Sequence, residues 1–121
     1  MQLSFPRQYH LRTKSEFKSI FDKSNRISQK HLLILFKQNQ KEYSRLGVIV
    51  GKRVAKKAIA RNRIRRIVKE SFRLNQEKLL GWDIIVIARQ QCDTLNKPTL
   101  RKGIDDLWQK LQNQYRGCLF Q

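Results

Sequence analysis

The chain has 121 residues, which suits a single compact domain over residues 1–121. It carries 27 Lys and Arg against 9 Asp and Glu, a formal net charge of +18 that solubility alone does not require. Such an excess favours a partner that carries many phosphates, with an anionic membrane surface as the alternative. The apolar runs are far too short to cross a bilayer, so we expect no membrane partner.

Residue types that usually mark a metal site or an enzyme active site are sparse. Cys92 and Cys118 are too few for a disulfide framework, and together with His10 and His31 they show no zinc-ligand spacing. The sequence also offers no paired carboxylates, no Ser/His/Asp arrangement and no phosphate-binding loop. We therefore expect no catalytic residue and no metal site in the protein, and a reducing, cytoplasmic location.

The first predicted element is a short helix with an aromatic face. Thr13 and Glu16 have capping-box spacing, in which both side chains satisfy free backbone N–H groups at a helix start. Phe17, Ile20 and Phe21 then fall on one face at i, i+3 and i+4. This pattern predicts a helix that packs its aromatic side on the rest of the domain.

Extended structure is predicted next. Residues 26–37 read either as one strand or as two short strands that separate near residues 29–30. The tract HLLILFK is continuously apolar, which is typical of a strand covered on both faces. In the following strand, RLGVIVGK, Gly47 and Gly51 make one face unusually small, so another element can approach it closely.

The second half of the chain predicts helix, strand and helix. A long helix runs from about residue 55 to residue 74, WDIIVIAR is a central strand, and Pro98 lies near the start of the last helix. The apolar stripe of that helix consists of Leu100, Ile104, Leu107, Trp108 and Leu111. The order α-β-(β)-β-α-β-α predicts an α/β fold, an α+β two-layer sandwich. Disorder is expected only in the tails, residues 1–9 and 117–121.

The long helix separates apolar from charged residues on a helical wheel. The side predicted to face the core consists of Ala60, Ile64, Ile67, Val68 and Ser71. The opposite side is polar and mostly basic, with Asn62, Arg65, Arg66, Lys69 and Arg73. Arg61 and Arg63 flank the core-facing stripe, one on each edge.

This charge distribution favours a surface that binds phosphates. Between residues 52 and 73 ten residues are basic, and one, Glu70, is acidic. A helix that only faces solvent usually mixes both signs and gains favourable i,i+4 pairs. Arginine in RNRIRR further suggests bidentate contacts with phosphates or base edges.

A second candidate surface is aromatic. Phe17 and Phe21 lie on the first helix, and Phe36 ends the apolar strand. Core packing is the simpler explanation for each ring taken alone. Basic neighbours such as Arg12 and Lys14 favour the alternative, a surface on which unstacked bases stack beside a basic groove.

The segment GVIVGKRVAKKAIARNRIRRIVKESFR, residues 47–73, resembles the signature of the bacterial ribonuclease P protein family. Its pattern is a G-x-x-V strand, a basic pair and an R-N-R helix. FKSIF is similar to the family's aromatic first helix and DIIVIAR to its last strand, so the resemblance covers nearly the whole chain. A small basic ribosomal protein is the alternative and a double-stranded DNA binder a weaker one, but neither shares this ordered combination.

The resemblance implies both a function and a fold. Members of the family are cofactors of a catalytic RNA that cleaves the 5′ leader from precursor tRNA, and that RNA holds the catalytic Mg²⁺. The protein would bind the RNA in a 1:1 complex and would be inactive alone as an endoribonuclease. The implied fold has a left-handed β-α-β crossover, against the usual right-handed rule.

Candidate binding residues follow by position from the family motif. The residues implied to bind the catalytic RNA are Arg61, Asn62, Arg63, Arg65, Arg66, Lys69 and Arg73, with Lys56 and Lys57. Those implied to line the leader cleft, between the first helix and the sheet, are Phe17, Phe21, Phe36, Lys52, Arg53, Arg12 and Lys14. Arg53 stands where lysine is frequent in the family. Leu35 is the alternative to Phe36, because the spacing is ambiguous by one residue.

Overall fold

The computed structural model describes residues 9–11 and 13–119. Within them the order is α1, β1, β2, β3, α2, β4, α3. The helices are α1 (Lys14–Asp22), α2 (Ala58–Asn75) and α3 (Lys97–Leu119), and the strands are β1 (Asn25–Ser28), β2 (Leu32–Gln38), β3 (Arg45–Ile49) and β4 (Trp82–Ala88). Short 3₁₀ turns span Gln76–Leu79 and Cys92–Thr94. The predicted mixed α/β fold is confirmed.

The four strands form one sheet in the order β1-β2-β4-β3. β1 and β2 are an antiparallel pair, so the extended region consists of two strands, one of the two alternatives left open by the sequence. β4 is central, antiparallel to β2 and parallel to β3. α2 is the crossover that joins the two parallel strands. The hand of this crossover stays a prediction.

Helices cover both faces of the sheet. α2 and α3 pack on one face, where Phe36, Phe72 and Trp108 are the largest fully buried side chains. On the other face, Ile20 of α1 is buried in a smaller cluster with Leu35 of β2. The sheet and the α2/α3 layer thus form the expected sandwich, and α1 adds a short cover on the second face.

Local sequence explains where the helices begin. At α1, the Thr13 hydroxyl accepts a hydrogen bond from Glu16 N at 3.1 Å, and the Glu16 carboxylate accepts one from Thr13 N at 2.9 Å. The predicted capping box is therefore confirmed. α2 begins at Ala58, later than the predicted residue 55, because Lys57 is extended with φ −85° and ψ 136°.

A buried polar contact joins α2 to α3. Trp108 Nε1 donates to Ser71 Oγ at 2.9 Å, and the Ser71 hydroxyl donates to the Asp105 carboxylate. This pairing explains why a serine stands in the core-facing stripe of α2, because a buried hydroxyl without partners would destabilise the fold. The apolar stripe predicted for α3 is buried throughout.

The expectation of disordered tails concerns residues that lie mostly outside those described. The structure describes Tyr9 and residues 117–119 of these tails. Tyr9 packs edge-to-face on Tyr43, with ring centroids 5.5 Å apart, and residues 117–119 continue α3. Among the described residues, no helix is long and apolar enough to cross a membrane.

Candidate nucleic-acid interface

A cleft of about 520 Å³ lies between α1 and the sheet. It is lined by Thr13, Lys14, Phe17, Lys18, Phe21 and Ile49. Phe17 is half-buried, whereas Phe21 remains 49% exposed. Three residues predicted for this cleft, Lys14, Phe17 and Phe21, therefore meet along one groove. Aromatic faces beside lysines are the groups that stack on unpaired bases and bind the adjoining phosphates.

A row of aliphatic side chains on three neighbouring strands lies on the same face of the sheet as this cleft. Leu33, Ile87 and Ile49 lie side by side in the sheet register, and each is half-buried on the α1 face. Of the three, Ile49 lines the cleft, although it was not among the residues predicted there. Their alternation along the strands was visible, but the register that aligns them depends on the order of strands in the sheet.

Phe36 does not line the cleft, and that prediction is wrong. The side chain is 2% exposed and packs edge-to-face on Trp82 beneath α2 and α3, with ring centroids 5.4 Å apart. Successive strand residues point to opposite faces, so the residue on the α1 side is Leu35. Leu35 is buried under α1 with Phe17 and Ile20, and it offers no aromatic face.

The remaining predicted cleft residues are divided between other places. Arg12 lies outside the described residues. Lys52 is exposed in the turn after β3 and does not line the cleft beside Phe17 and Phe21. Arg53 lines a second cavity, between the segment before α2 and the segment after β4, rather than the cleft beside Phe17 and Phe21.

An ion-pair network that the sequence analysis missed fixes α1 against the sheet. Arg45 donates to both Asp83 carboxylate oxygens, from Nε at 2.8 Å and from Nη2 at 2.6 Å, and to Glu16 Oε2 at 2.8 Å. The hydrogen bonds to Asp83 are the main cause of the raised pKa of Arg45. Glu16 therefore both caps α1 and anchors it, which helps to set the position of Phe17, the next residue, and of Phe21, just over one turn further on.

The polar side of α2 is largely free of protein partners. Arg66 is exposed, Lys69 and Arg73 are half-exposed, and none of the three has a hydrogen-bond or ion-pair partner among the described residues. Glu70, the acidic residue of α2, lies 3.6 Å from Arg101 of α3. The side chains of Arg66, Lys69 and Arg73 are thus available to phosphates, because the carboxylate of Glu70 pairs with Arg101 rather than with one of them.

Two arginines of the motif contact backbone inside the protein. Arg61 Nη1 donates to the carbonyls of Ala55 at 2.9 Å and Lys56 at 2.8 Å. Arg63 Nη2 donates to Asp93 O at 3.2 Å and to Leu95 O at 2.8 Å. Their position beside the core-facing stripe brings them onto these two loops. They hold the loops in place, in addition to any contact with RNA.

Asn62 lies between these two arginines and faces outward. Its Oδ1 accepts a hydrogen bond from Arg65 Nη1 at 3.2 Å, which orients that guanidinium along the exposed surface. Lys56 and Lys57 are exposed in the segment just before α2. Both lysines also line the cavity that contains Arg53, so they lie beside the start of α2. The described residues contain no group of three or more His, Cys, Asp or Glu that is suited to a metal ion.

Comparison with known proteins identifies the family of this chain. A family model described as Ribonuclease P matches residues 5–112. The ribonuclease P protein component of Pseudomonas aeruginosa is 42% identical over 108 residues, covering 88% of this chain and 80% of that protein. RNase P protein from Thermotoga maritima superposes with a TM-score of 0.74 at 31% identity, covering 84% of this chain and 96% of that one. The chain therefore belongs to the ribonuclease P protein family.

Proposed function

We propose that the chain is the protein cofactor of a ribonuclease P RNA and that it binds this RNA and the 5′ leader of precursor tRNA at two separate surfaces. The observation that carries the proposal is the position of these surfaces on opposite faces of one sheet. The cleft beside Phe17 and Phe21 lies on the α1 face of the sheet. α2 packs on the opposite face of the sheet, and its basic side points away from the sheet. One rigid protein can thereby contact two RNA segments at once.

The leader is proposed to lie in the α1 cleft. The exposed face of Phe21 offers a stacking surface, and the half-buried Phe17 ring together with Ile49 offers apolar contact to a second base. Lys14 and Lys18 project from the same helix and bind the backbone phosphates. Such contacts depend little on base identity, which suits a cofactor that must accept many precursor tRNAs.

The catalytic RNA is proposed to bind the polar side of α2. Arg66, Lys69 and Arg73 are the unpaired cations of that side, and the Asn62–Arg65 pair presents an oriented guanidinium beside them. Each contact with a phosphate releases condensed counterions, so affinity should fall steeply with salt. Repulsion between the α2 cations also falls when they bind a polyanion.

The protein is proposed to supply binding and the RNA to supply the chemistry. The Mg²⁺ implied by the family is proposed to be held by the RNA. We propose a 1:1 complex of protein and RNA that acts in the cytoplasm on precursor tRNA. The protein would raise substrate affinity and reduce the Mg²⁺ needed by neutralising phosphates.

The decisive experiment is reconstitution. The purified protein is added to a bacterial ribonuclease P RNA with 5′-labelled precursor tRNA at low Mg²⁺, and release of the leader is followed. We expect cleavage only when protein and RNA are both present. Cleavage by RNA-free protein would reject the division of labour, and failure of the protein to stimulate the RNA would reject the proposed function.

A further inference from the structure

A second cavity, of about 480 Å³, lies away from the α1 cleft. β3 and β4 are parallel, so their carboxyl ends meet at one edge of the sheet, and the cavity opens between the segments that follow them. The carboxyl edge of parallel strands is where α/β sheets usually bind ligands. The volume lies within the range of roughly 300–1,000 Å³ that is typical of small-molecule sites.

Both walls of this cavity are held by the motif arginines. Arg61 fixes one wall through the carbonyls of Ala55 and Lys56, and Arg63 fixes the other through those of Asp93 and Leu95. In addition, the Thr94 hydroxyl donates to the carbonyl of Gln91 at 2.6 Å. The cavity is therefore preformed, which lowers the entropic cost of binding a ligand.

The side chains that line the cavity combine phosphate-binding and base-reading groups. Arg53, Lys56 and Lys57 are exposed cations whose side chains have no hydrogen-bond or ion-pair partner within the described ranges. The side-chain amides of Gln90 and Gln91 are likewise unpartnered there, and each offers both donors and an acceptor. Amides of this kind pair with the edges of unstacked bases, and guanidinium planes stack on them.

We propose that this cavity binds one unpaired RNA nucleotide, with its phosphate on Lys56 and Lys57 and its base edge on Gln90 and Gln91. The inference rests on the proposed function, because the cavity adjoins the first turn of α2 and the same RNA would reach both. Charge complementarity supports a nucleotide: three cations and a single carboxylate, that of Asp93, line the cavity. The α1 cleft, by contrast, offers no side-chain amide.

The first test uses 5′-AMP, 5′-CMP, 5′-GMP and 5′-UMP with the ¹⁵N-labelled full chain, at constant ionic strength. At least one nucleotide should shift the amide signals of Gln90, Gln91 and Thr94 saturably, whereas inorganic phosphate at the same concentration should shift only the lysine segment. Gln90→Ala should weaken this binding about five-fold, as expected for a lost hydrogen bond. Shifts confined to the α1 cleft, or identical shifts with phosphate alone, would overturn the proposal.

The second test separates a nucleotide within the RNA from a free one. Affinity for ribonuclease P RNA is measured for Gln90→Ala and for Gln38→Ala. Gln38 is the matched control, because it is an exposed glutamine that pairs with the start of β4, whereas the cavity follows the end of β4. We expect an about five-fold loss for Gln90→Ala with an unchanged salt slope, and no loss for Gln38→Ala. If both variants match a wild type that binds and stimulates the RNA, the cavity proposal fails and the proposed function stands. If the wild type itself does not bind the RNA, both fail.

Discussion

The ring of Phe17 lies directly on Gly47, so closely that a Cβ atom placed on the glycine would come within 2.6 Å of the phenyl Cζ. Real Cβ contacts of that length essentially do not occur, and the contact joins Phe17 of α1 to Gly47 of β3. Gly47 therefore sets how closely α1 approaches β3. The distance between that helix and the sheet in turn sets the depth of the cleft proposed to bind the leader.

Replacing Gly47 by alanine should destabilise the protein by displacing Phe17. We expect Gly47→Ala to lower the free energy of unfolding by about 1–3 kcal/mol, the usual effect of overpacking, as measured by urea denaturation. Gly51→Ala is the matched control, because a Cβ at that position meets nothing within 4 Å. Adding Phe17→Leu to Gly47→Ala should recover part of the loss. Equal effects of the two single alanine substitutions would contradict this account of the contact.

Phe21 offers the cleaner test of the cleft, because its ring is 49% exposed. We expect Phe21→Ala to unfold in urea like the wild type while losing about 1–3 kcal/mol of affinity for a precursor tRNA with a single-stranded leader. A precursor without a leader should bind both proteins equally. Leu80→Ala, which removes a side chain that is 52% exposed elsewhere, is the control and should change neither measurement. An equal loss with and without the leader would reject the assignment.

The sequence predicted most of what depends on local pattern. The capping box of Thr13 and Glu16, the apolar stripe of α3 and the small face at Gly47 can be read without knowing which strands pair. The residues it missed depend on pairing between strands. Arg45 and Asp83 are far apart in the chain, and they become partners only because β3 lies parallel to β4. The same holds for the aliphatic row of Leu33, Ile87 and Ile49 on the α1 face of the sheet.

Phe36 shows how one uncertain residue of register changes a site. Its neighbour Leu35 and Phe36 itself point to opposite faces, so an ambiguity of one position decides between the cleft and the core. A continuously apolar strand gives no alternation from which to choose. The carbonyl contacts of Arg61 and Arg63 could not be predicted from the sequence for another reason. A helical wheel predicts the side of the helix on which a side chain lies, but not the loop that packs against that side.

Burial raises the pKa of the Cys92 thiol to about 11, with the nearby Asp93 carboxylate adding to the effect. The folded state therefore favours the protonated thiol, which is a poor nucleophile. In a Cys118→Ser background, we expect iodoacetamide at pH 8 to leave Cys92 unmodified in native protein and to alkylate it fully in urea. Rapid alkylation without denaturant would contradict the burial.

The same shift predicts a pH dependence of stability. Because the folded pKa lies above the ordinary value of 9.0, the contribution of Cys92 is fully present below about pH 9 and is lost as the pH rises towards 11. In the Cys118→Ser background, the unfolding free energy of the Cys92 protein should therefore fall more steeply over this range than that of a Cys92→Ala variant. The comparison removes the titration of lysines and tyrosines, which both proteins share. Parallel curves for the two proteins would reject the linkage.

The two classes of arginine on α2 should respond differently to salt when ribonuclease P RNA is bound. Arg66 is exposed and unpaired, so Arg66→Ala should remove one phosphate contact and reduce the slope of log affinity against log salt by about 0.7–0.9. From the sequence alone, the same change of slope is expected for Arg63→Ala. The carbonyl bonds of Arg63 instead predict a loss of protein stability with a smaller change in slope. Each of its backbone hydrogen bonds is charge-assisted and contributes about 1.5–3 kcal/mol.

Arg63→Lys distinguishes positioning from charge, because lysine retains the charge but lacks the planar donor set that reaches two carbonyls. If Arg63 acts through the loops, Arg63→Lys should resemble Arg63→Ala in urea denaturation and the wild type in salt slope. If Arg63 acts mainly as a phosphate ligand, Arg63→Ala should lose the full slope of Arg66→Ala and unfold like the wild type. The RNA titrations and the urea curves together therefore decide between the two roles for this residue.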